Sequence, residues 1–345
     1  MQLPILFKSD GCSSKSVGGY PEYMAKFEID TTKVSLLEVT ADNDGQRVDN
    51  FLLSVLGRVP KAMVYRIIRK GEVRINKGRV KADSRVSTGD LVRIPPVRLP
   101  QEQAVGHASA ELLAGLKKAI VYEDDALIAI NKPHGLAVHG GSGVNLGLIE
   151  ALRQLYPDHS FLELVHRLDR DTSGIILVAR KRSALVALQK MLVNKVGIRK
   201  RYLALVHGHW PQAVTEVKAP LKKSERQSGE RIMLVDAEGK TCHTRYRLLS
   251  SGPHYSLLEA EPVTGRTHQI RVHCQFQGYA IAGDEKYRDR AQVAIDQQHG
   301  IRRLFLHALR LEFRHPLSGE SLSLTAPPNA DFERLLIKEG CNYGF

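Results

Sequence analysis

From Val34 onward, apolar positions recur first with helical and then with extended spacing. Val48, Phe51, Leu52, Val55 and Leu56 fall at i, i+3, i+4, i+7 and i+8 behind Asp44 and Gly45, which predicts one amphipathic helix closed by Gly57. A second helix is expected from Pro60 through Met63, Val64, Ile67 and Ile68 to Gly71, since proline suits a first helical turn and glycine a C-cap. Its opposite face carries Lys61, Arg66, Arg69 and Lys70. Short extended segments follow at 73–76 and 91–94, and Pro95 and Pro96 end the module. Residues 99–115, with Pro100, Gly106 and small polar residues, read as a linker. Beyond them short strands dominate, at 120–122, 126–130, 163–165, 175–179, 202–206, 231–235, 241–249, 255–261, 304–313 and 322–324. Helices are expected only at about 146–156, 183–195 and 267–277.

Turns such as the one at 236–239 join consecutive strands, so the expected class is α+β, with a mixed, mostly antiparallel sheet and flanking helices. The organisation predicted is a leader at 1–33, a basic module at 34–98, the linker, a sheet domain at 116–330 and a tail at 331–345.

Charge sharpens this picture. The chain carries 50 Lys and Arg against 37 Asp and Glu, a formal +13, and a protein this basic usually meets a polyanion. Between Val34 and Arg98 there are 13 basic residues against 7 acidic ones, and between Arg180 and Arg226 there are 12 against 2. No apolar run is long enough to span a bilayer, and Lys8, Ser9 and Asp10 cut short the apolar start, so a cytoplasmic protein is expected. Cys12, Cys242, Cys274 and Cys341 lie far apart with no C-x-x-C pair, which argues against a zinc finger or a disulfide framework. Of the 14 histidines, the closest pairs are His134/His139, His207/His209 and His268/His273; none has cysteines or paired carboxylates at ligand spacing, so no metal site is expected. Glycine-rich phosphate and dinucleotide loops, H-E-x-x-H and G-x-S-x-G are absent, which removes the usual supports of nucleotide-driven, hydride-transfer, zinc-protease and serine-hydrolase chemistry.

Three segments can carry chemistry. In ELVHRLDRDTSGIILVAR, residues 163–180, Asp169 sits in a polar turn between two apolar stretches, with Arg167 and Arg170 beside it; such neighbours favour an ionised, positioned carboxylate able to act as nucleophile or base. The bland alternative is that Asp169 or Asp171 merely satisfies the turn's N–H groups. In IRKRYLALVHG, residues 198–208, Tyr202 follows Arg199, Lys200 and Arg201, an arrangement that serves either a solvated strand edge or a stacked, flipped base. In TGRTHQIRVHCQ, residues 264–275, Arg266, His268 and Arg271 gather near one helix start, suited to an anion or to an ion pair with a carboxylate.

The stretch from GQRVDNFLLSVLGRVPKAM to VRINKGRV, with GDLVRIPP closing it, resembles the S4 RNA-binding module. Together with NKPHGLAVHGG (131–141), HRLDRDTSG (166–174), KRYLALVHG (200–208) and GRTHQIRVH (265–273), it is similar to the large-ribosomal-subunit branch of the pseudouridine synthases over about residues 34–330. The resemblance implies a pseudouridine synthase fold and isomerisation of uridine in 23S ribosomal RNA. It also implies a monomer without cofactor, metal or nucleotide. It assigns Asp169 as the essential aspartate that attacks the nucleotide, at C1′ or through a glycal. Tyr202 would stack under the uracil and help remove the C5 proton. Arg271 would pair with the aspartate, and Arg167 would fill the gap left by the flipped base. Arg66, Arg69, Lys70, Arg199, Lys200 and Arg266 are the expected RNA contacts. The competing expectations are a non-catalytic S4-type RNA-binding or assembly factor and an RNA methyltransferase.

Overall fold

The computed structural model describes residues 32–56, 59–97, 106–140, 146–159, 161–226 and 228–343, without the side chain of Asp42. Most of the expected leader, Gly57, Cys12 and the first part of the expected linker lie outside the described residues. The chain divides into two compact units, Met1–Ala104 and Val105–Phe345.

In the first unit a strand β1 (Ser35–Glu38) precedes helices α1 (Val48–Leu56) and α2 (Lys61–Arg69), followed by β2 (Arg74–Ile75), β3 (Gly78–Arg79) and β4 (Leu91–Ile94). The strands order β1-β4-β2-β3, with antiparallel pairing throughout. Val48, Phe51 and Leu52 from α1 and Val64, Ile67 and Ile68 from α2 meet Val92 and Ile94 in a core of the unit's own. The helical spacing of the apolar residues therefore leaves Lys61, Arg66, Arg69 and Lys70 together on the exposed side of α2. At Gly71, where α2 ends, φ is +71°, and a Cβ would press on the Arg79 guanidinium.

The second unit holds α3 (Ala110–Lys118), β5 (Ile120–Glu123), β6 (Leu127–Lys132), α4 (Leu148–Leu155), β7 (Glu163–Leu164), β8 (Ser173–Ala179), α5 (Arg182–Asn194) and β9 (Ile198–His207). It continues with β10 (Glu216–Val217), β11 (Leu221–Glu225), β12 (Arg231–Val235), β13 (Thr244–Ser251), β14 (Tyr255–Pro262), α6 (Gln269–Phe276), α7 (Arg290–Gln298), β15 (Leu306–Arg314), β16 (Ser321–Thr325) and α8 (Ala330–Lys338). The main sheet runs β10-β13-β14-β9-β15-β8-β6-β5, with β16 on β15 and β7 on β8, and β11 and β12 form a separate hairpin. Among the described residues every pairing is antiparallel except β15 with β8. This is the expected α+β class with a mixed, mostly antiparallel sheet. No described helix is long and apolar enough to cross a membrane.

Three helices depart from the expectation. α3 begins inside the segment read as a linker, because Ser109 caps it through Leu112 N and Leu116 enters the core. α7 lacks an apolar stripe; its buried residue is Asp296, a carboxylate held by Tyr255, Gly283 and Arg288. α8 falls in the segment read as a tail, yet Phe332, Leu335 and Leu336 at i, i+3 and i+4 join the core.

The parallel β8–β15 junction fixes the turn that precedes β8. Gly174 lies opposite Ala308 with φ +110°, and a Cβ there would stand 2.2 Å from the Ala308 carbonyl oxygen. His307 closes the junction from the other side: its Nε2 donates to Ala326 O at 2.8 Å, which leaves Nδ1 to accept from Ser173 Oγ at 2.9 Å. Burial pushes this imidazole down to about 4. Because the unfolded ring has an ordinary value, it takes up a proton below about pH 6.5 while the folded ring stays neutral to about 4. Stability from this group is therefore complete above pH 6.5 and is lost as pH falls, by up to about 1.4 kcal/mol per pH unit. Urea titrations at pH 7, 6 and 5 should show a steeper loss for the native chain than for His307→Gln.

Candidate active site

The turn before β8 holds its shape through backbone and side-chain bonds to residues distant in sequence. Thr172 N donates to Asp169 O at 3.2 Å, and Arg170 pairs with Asp171 at 3.0 Å, which turns those two side chains toward each other. Lys132, at the end of β6, is fully buried and donates from Nζ to the carbonyls of Pro133, Leu136 and Arg170 at 2.8, 2.9 and 3.0 Å. One ammonium thus ties the 133–136 turn to the Asp169 turn. Burial pushes it down to about 7, against the opposing pull of Asp171 and Asp169.

Asp169 faces a cleft of about 310 Å³, lined among others by His166, Arg167, Lys200, Tyr202, Arg266, His268 and Arg271. Arg271 Nη1 stands 3.4 Å from Asp169 Oδ2. The same guanidinium makes a closer fork to Asp284, with Nε to Oδ2 and Nη2 to Oδ1 both at 2.7 Å. Arg271 and Asp284 are both buried. Burial works against the charge on Arg271, but the hydrogen bonds and charge of Asp284, and then the charge of Asp169, raise its pKa above the ordinary arginine value. The Tyr287 ring packs 5.1 Å from the guanidinium carbon.

His268 forms a further edge. It precedes α6 in the left-handed region, φ +53°, and places Nε2 3.7 Å from Asp169 Oδ2. Its Nδ1 lies 2.7 Å from Tyr287 Oη, which accepts Met233 N at 3.0 Å. Tyr287 Oη has one hydrogen to give, and when it goes to His268 Nδ1 the ring hydrogen sits on Nε2, on the side of Asp169. Burial lowers the His268 pKa despite the charge of Asp169, so the neutral ring is favoured.

Strand alternation divides the basic run of β9. Lys200 and Tyr202 share the face that lines the cleft. Arg199 and Arg201 point the other way and pair with Glu261 at 2.6 Å and with Glu312 at 3.4 Å. Of the expected RNA contacts in this unit, Lys200 and Arg266 line the cleft and Arg199 is held in an ion pair across the sheet. Tyr202 is buried in its floor, and burial together with the charge of Asp169 pushes its hydroxyl pKa upward. Burial lowers Lys200, and burial with the charge of Lys200 brings His166 down to about 3. Nothing in the sequence alone gave a role to Asp284, Tyr287 or Lys132; of the three, only Lys132 lies inside one of the motifs singled out above.

A basic two-helix unit, and a sheet unit whose cleft sets a carboxylate against a buried arginine beside a buried tyrosine, fit an enzyme that acts on RNA. The family model for RNA pseudouridylate synthase matches residues 126–276, and the S4 domain model matches residues 46–92. Ribosomal large subunit pseudouridine synthase C of Haemophilus ducreyi is 50% identical over 309 residues, spanning 89% of this chain and 96% of that protein. The protein of the same name from Escherichia coli is 50% identical over 315 residues, 90% of this chain and 98% of the relative. Among solved structures, human RNA pseudouridylate synthase domain containing 4 superimposes with a TM-score of 0.56 at 26% identity, covering 68% of this chain and 98% of that one. The chain belongs to the pseudouridine synthase family, in the S4-bearing branch that contains ribosomal large subunit pseudouridine synthase C.

Removing Asp284 should expose how far Arg271 depends on it. Asp284→Ala leaves a buried guanidinium facing only the more distant Asp169, and breaking a buried pair in this way costs about 3–5 kcal/mol. Urea unfolding should show that loss, and Asp284→Asn should also destabilise, since its amide NH2 would face a guanidinium N–H and no charge would offset the buried cation.

Proposed function

We propose that this chain isomerises specific uridines to pseudouridine in 23S ribosomal RNA, as a cytoplasmic monomer without a cofactor. The observation that carries the reading is Asp169, whose Oδ2 faces Arg271 and His268 in a cleft floored by Tyr202. The names of its relatives supply the substrate class.

The reaction breaks the C1′–N1 bond, turns the released base and joins C1′ to C5, after which the C5 proton leaves and the freed N1 takes one up. No atom is gained overall and no electron is exchanged, so positioned side chains suffice. The uridine must first leave its stack, at a cost of a few kcal/mol, for a pocket that offers a stacking surface. Tyr202 supplies that surface, and its hydroxyl relays the C5 proton, accepting it on oxygen while giving its own to water. Asp169 reacts at the ribose with Oδ1 while Arg271, anchored by Asp284, and the Nε2–H of His268 hold Oδ2. Arg167, exposed at the rim, enters the gap left in the RNA. Arg66, Arg69 and Lys70 on the open face of α2 grip phosphates.

Two measurements test this reading. Tritium release from C5-labelled uridine in ribosomal RNA should fall on the order of 10⁴-fold or more in Asp169→Asn. Tyr202→Phe should keep RNA affinity and lose turnover; near-normal release by Asp169→Asn would remove the catalytic assignment. Separately, neutralising Arg66, Arg69 and Lys70 together should reduce the slope of log affinity against log salt by about 0.7–0.9 for each phosphate that the helix no longer neutralises. An unchanged slope would move RNA recognition away from this helix.

A further inference from the structure

The second unit holds a polar cluster that none of the chemistry above uses. His254 lies in the turn between β13 and β14, His299 caps the end of α7, and Glu339 caps the end of α8. Their ligand atoms all fall within 4.8 Å of one another. His254 Nδ1 is 3.5 Å from Glu339 Oε2, and His299 Nδ1 is 3.3 Å from Glu339 Oε1. The two rings lie 4.3 Å apart between centroids.

Protons alone satisfy this cluster poorly. The Glu339 side chain is 2% exposed, and a neutral donor, the His254 backbone N–H at 3.2 Å, reaches its Oε2. His299 Nδ1 is buried and has no hydrogen-bond partner, although it points at the carboxylate. Protonating both rings would set two cations side by side, and burial together with the neighbouring charge of His254 lowers the His299 pKa. Lys338 adds a further positive charge nearby, opposed by Glu339 itself and by Asp296. Leaving both rings neutral keeps a buried carboxylate short of compensation, and a single proton balances its charge while serving only one of the two imidazoles that face it.

A divalent ion answers each of these demands at once. Two imidazole nitrogens and one carboxylate oxygen are a ligand set for zinc or a similar borderline metal rather than for magnesium or calcium. With metal–ligand distances of about 2.0–2.2 Å, adjacent ligands of a tetrahedral ion stand roughly 3.3–3.6 Å apart. The observed separations, 3.3 Å from His299 Nδ1 to Oε1 and 3.5 Å from His254 Nδ1 to Oε2, lie in that interval but engage the two oxygens separately, so either oxygen is placed to serve as the carboxylate ligand. The exposed His254 leaves an entry path and room for water as the fourth ligand, since its side chain is 48% exposed against 13% for His299.

We infer that His254, His299 and Glu339 form a binding site for a zinc-type divalent cation that clasps the β13–β14 turn to the ends of α7 and α8. The inference is independent of the assignment of Asp169, because none of its ligands lines the cleft. The experiment uses the full chain, stripped with a chelator and dialysed, and titrates Zn²⁺ against a chromophoric chelator at pH 7.5, with Co²⁺ absorption as a second readout. One tight equivalent is expected in the native chain, accompanied by a rise in Tm and by the visible absorption band of tetrahedral Co²⁺. His254→Ala, in an exposed turn that tolerates truncation, should weaken that equivalent at least tenfold and abolish the Co²⁺ band, as should His299→Ala. Binding should also weaken as the pH falls, because protons compete with the metal for its ligands. Equal Zn²⁺ binding by the native chain and His254→Ala would overturn the site, as would binding only at large excess with no Co²⁺ band.

Discussion

Arg271 is the fixed point of the reactive cleft. A guanidinium removed from water is stable only where anions meet it in good geometry, and here Asp284 takes two of its edges at 2.7 Å. The remaining edge reaches Asp169 at 3.4 Å. Because Asp284 is the tighter partner, it holds the guanidinium in place independently of Asp169. Asp169 is thereby set against a cation that another carboxylate holds in place, the preorganisation that the role proposed for Asp169 calls for. His268 completes the arrangement from a strained backbone position whose ring orientation Tyr287 fixes.

The sheet aims these groups at one another. β8 and β15 run parallel only over Ser173–His307 and Gly174–Ala308, yet that short junction decides where the preceding turn points. Gly174 permits the approach because its backbone comes too close to Ala308 for any side chain. Lys132 restrains the same turn from below. Backbone clearance, a buried ammonium and an ion triad therefore act on a single loop from three directions.

Much of this was legible in the sequence wherever the signal is local. Apolar spacing located α1, α2, α4, α5 and α6, whereas the basic run before Tyr202 read as one group, and the sequence could not show that Lys200 would share the cleft face with Tyr202 while Arg199 would be tied to Glu261. Asp169, Tyr202 and Arg271 stood out because each sits in a distinctive motif. Asp284 did not, since a buried carboxylate after a glycine has no local mark until the chain brings it to Arg271. The His254, His299 and Glu339 cluster was hidden for the same reason: a search for metal ligands along the sequence weighs close neighbours, whereas these three come from separate turns and helix ends. α7 escaped because its buried group is polar, and α8 because three apolar residues near the end of a chain look like a tail.

The Ser173–His307 hydrogen bond joins residues 134 positions apart, and synthesis on the ribosome makes the first of them well before the second. A chain emerging from its N-terminus completes the α1–α2 unit, with a hydrophobic core of its own, long before β15 exists to receive β8. The turn that carries Asp169 has no parallel neighbour until residues near 307 are made, and it lacks the Arg271–Asp284 fork until shortly before that. During translation the basic α1–α2 unit is therefore complete before the Asp169 turn is braced by its partners.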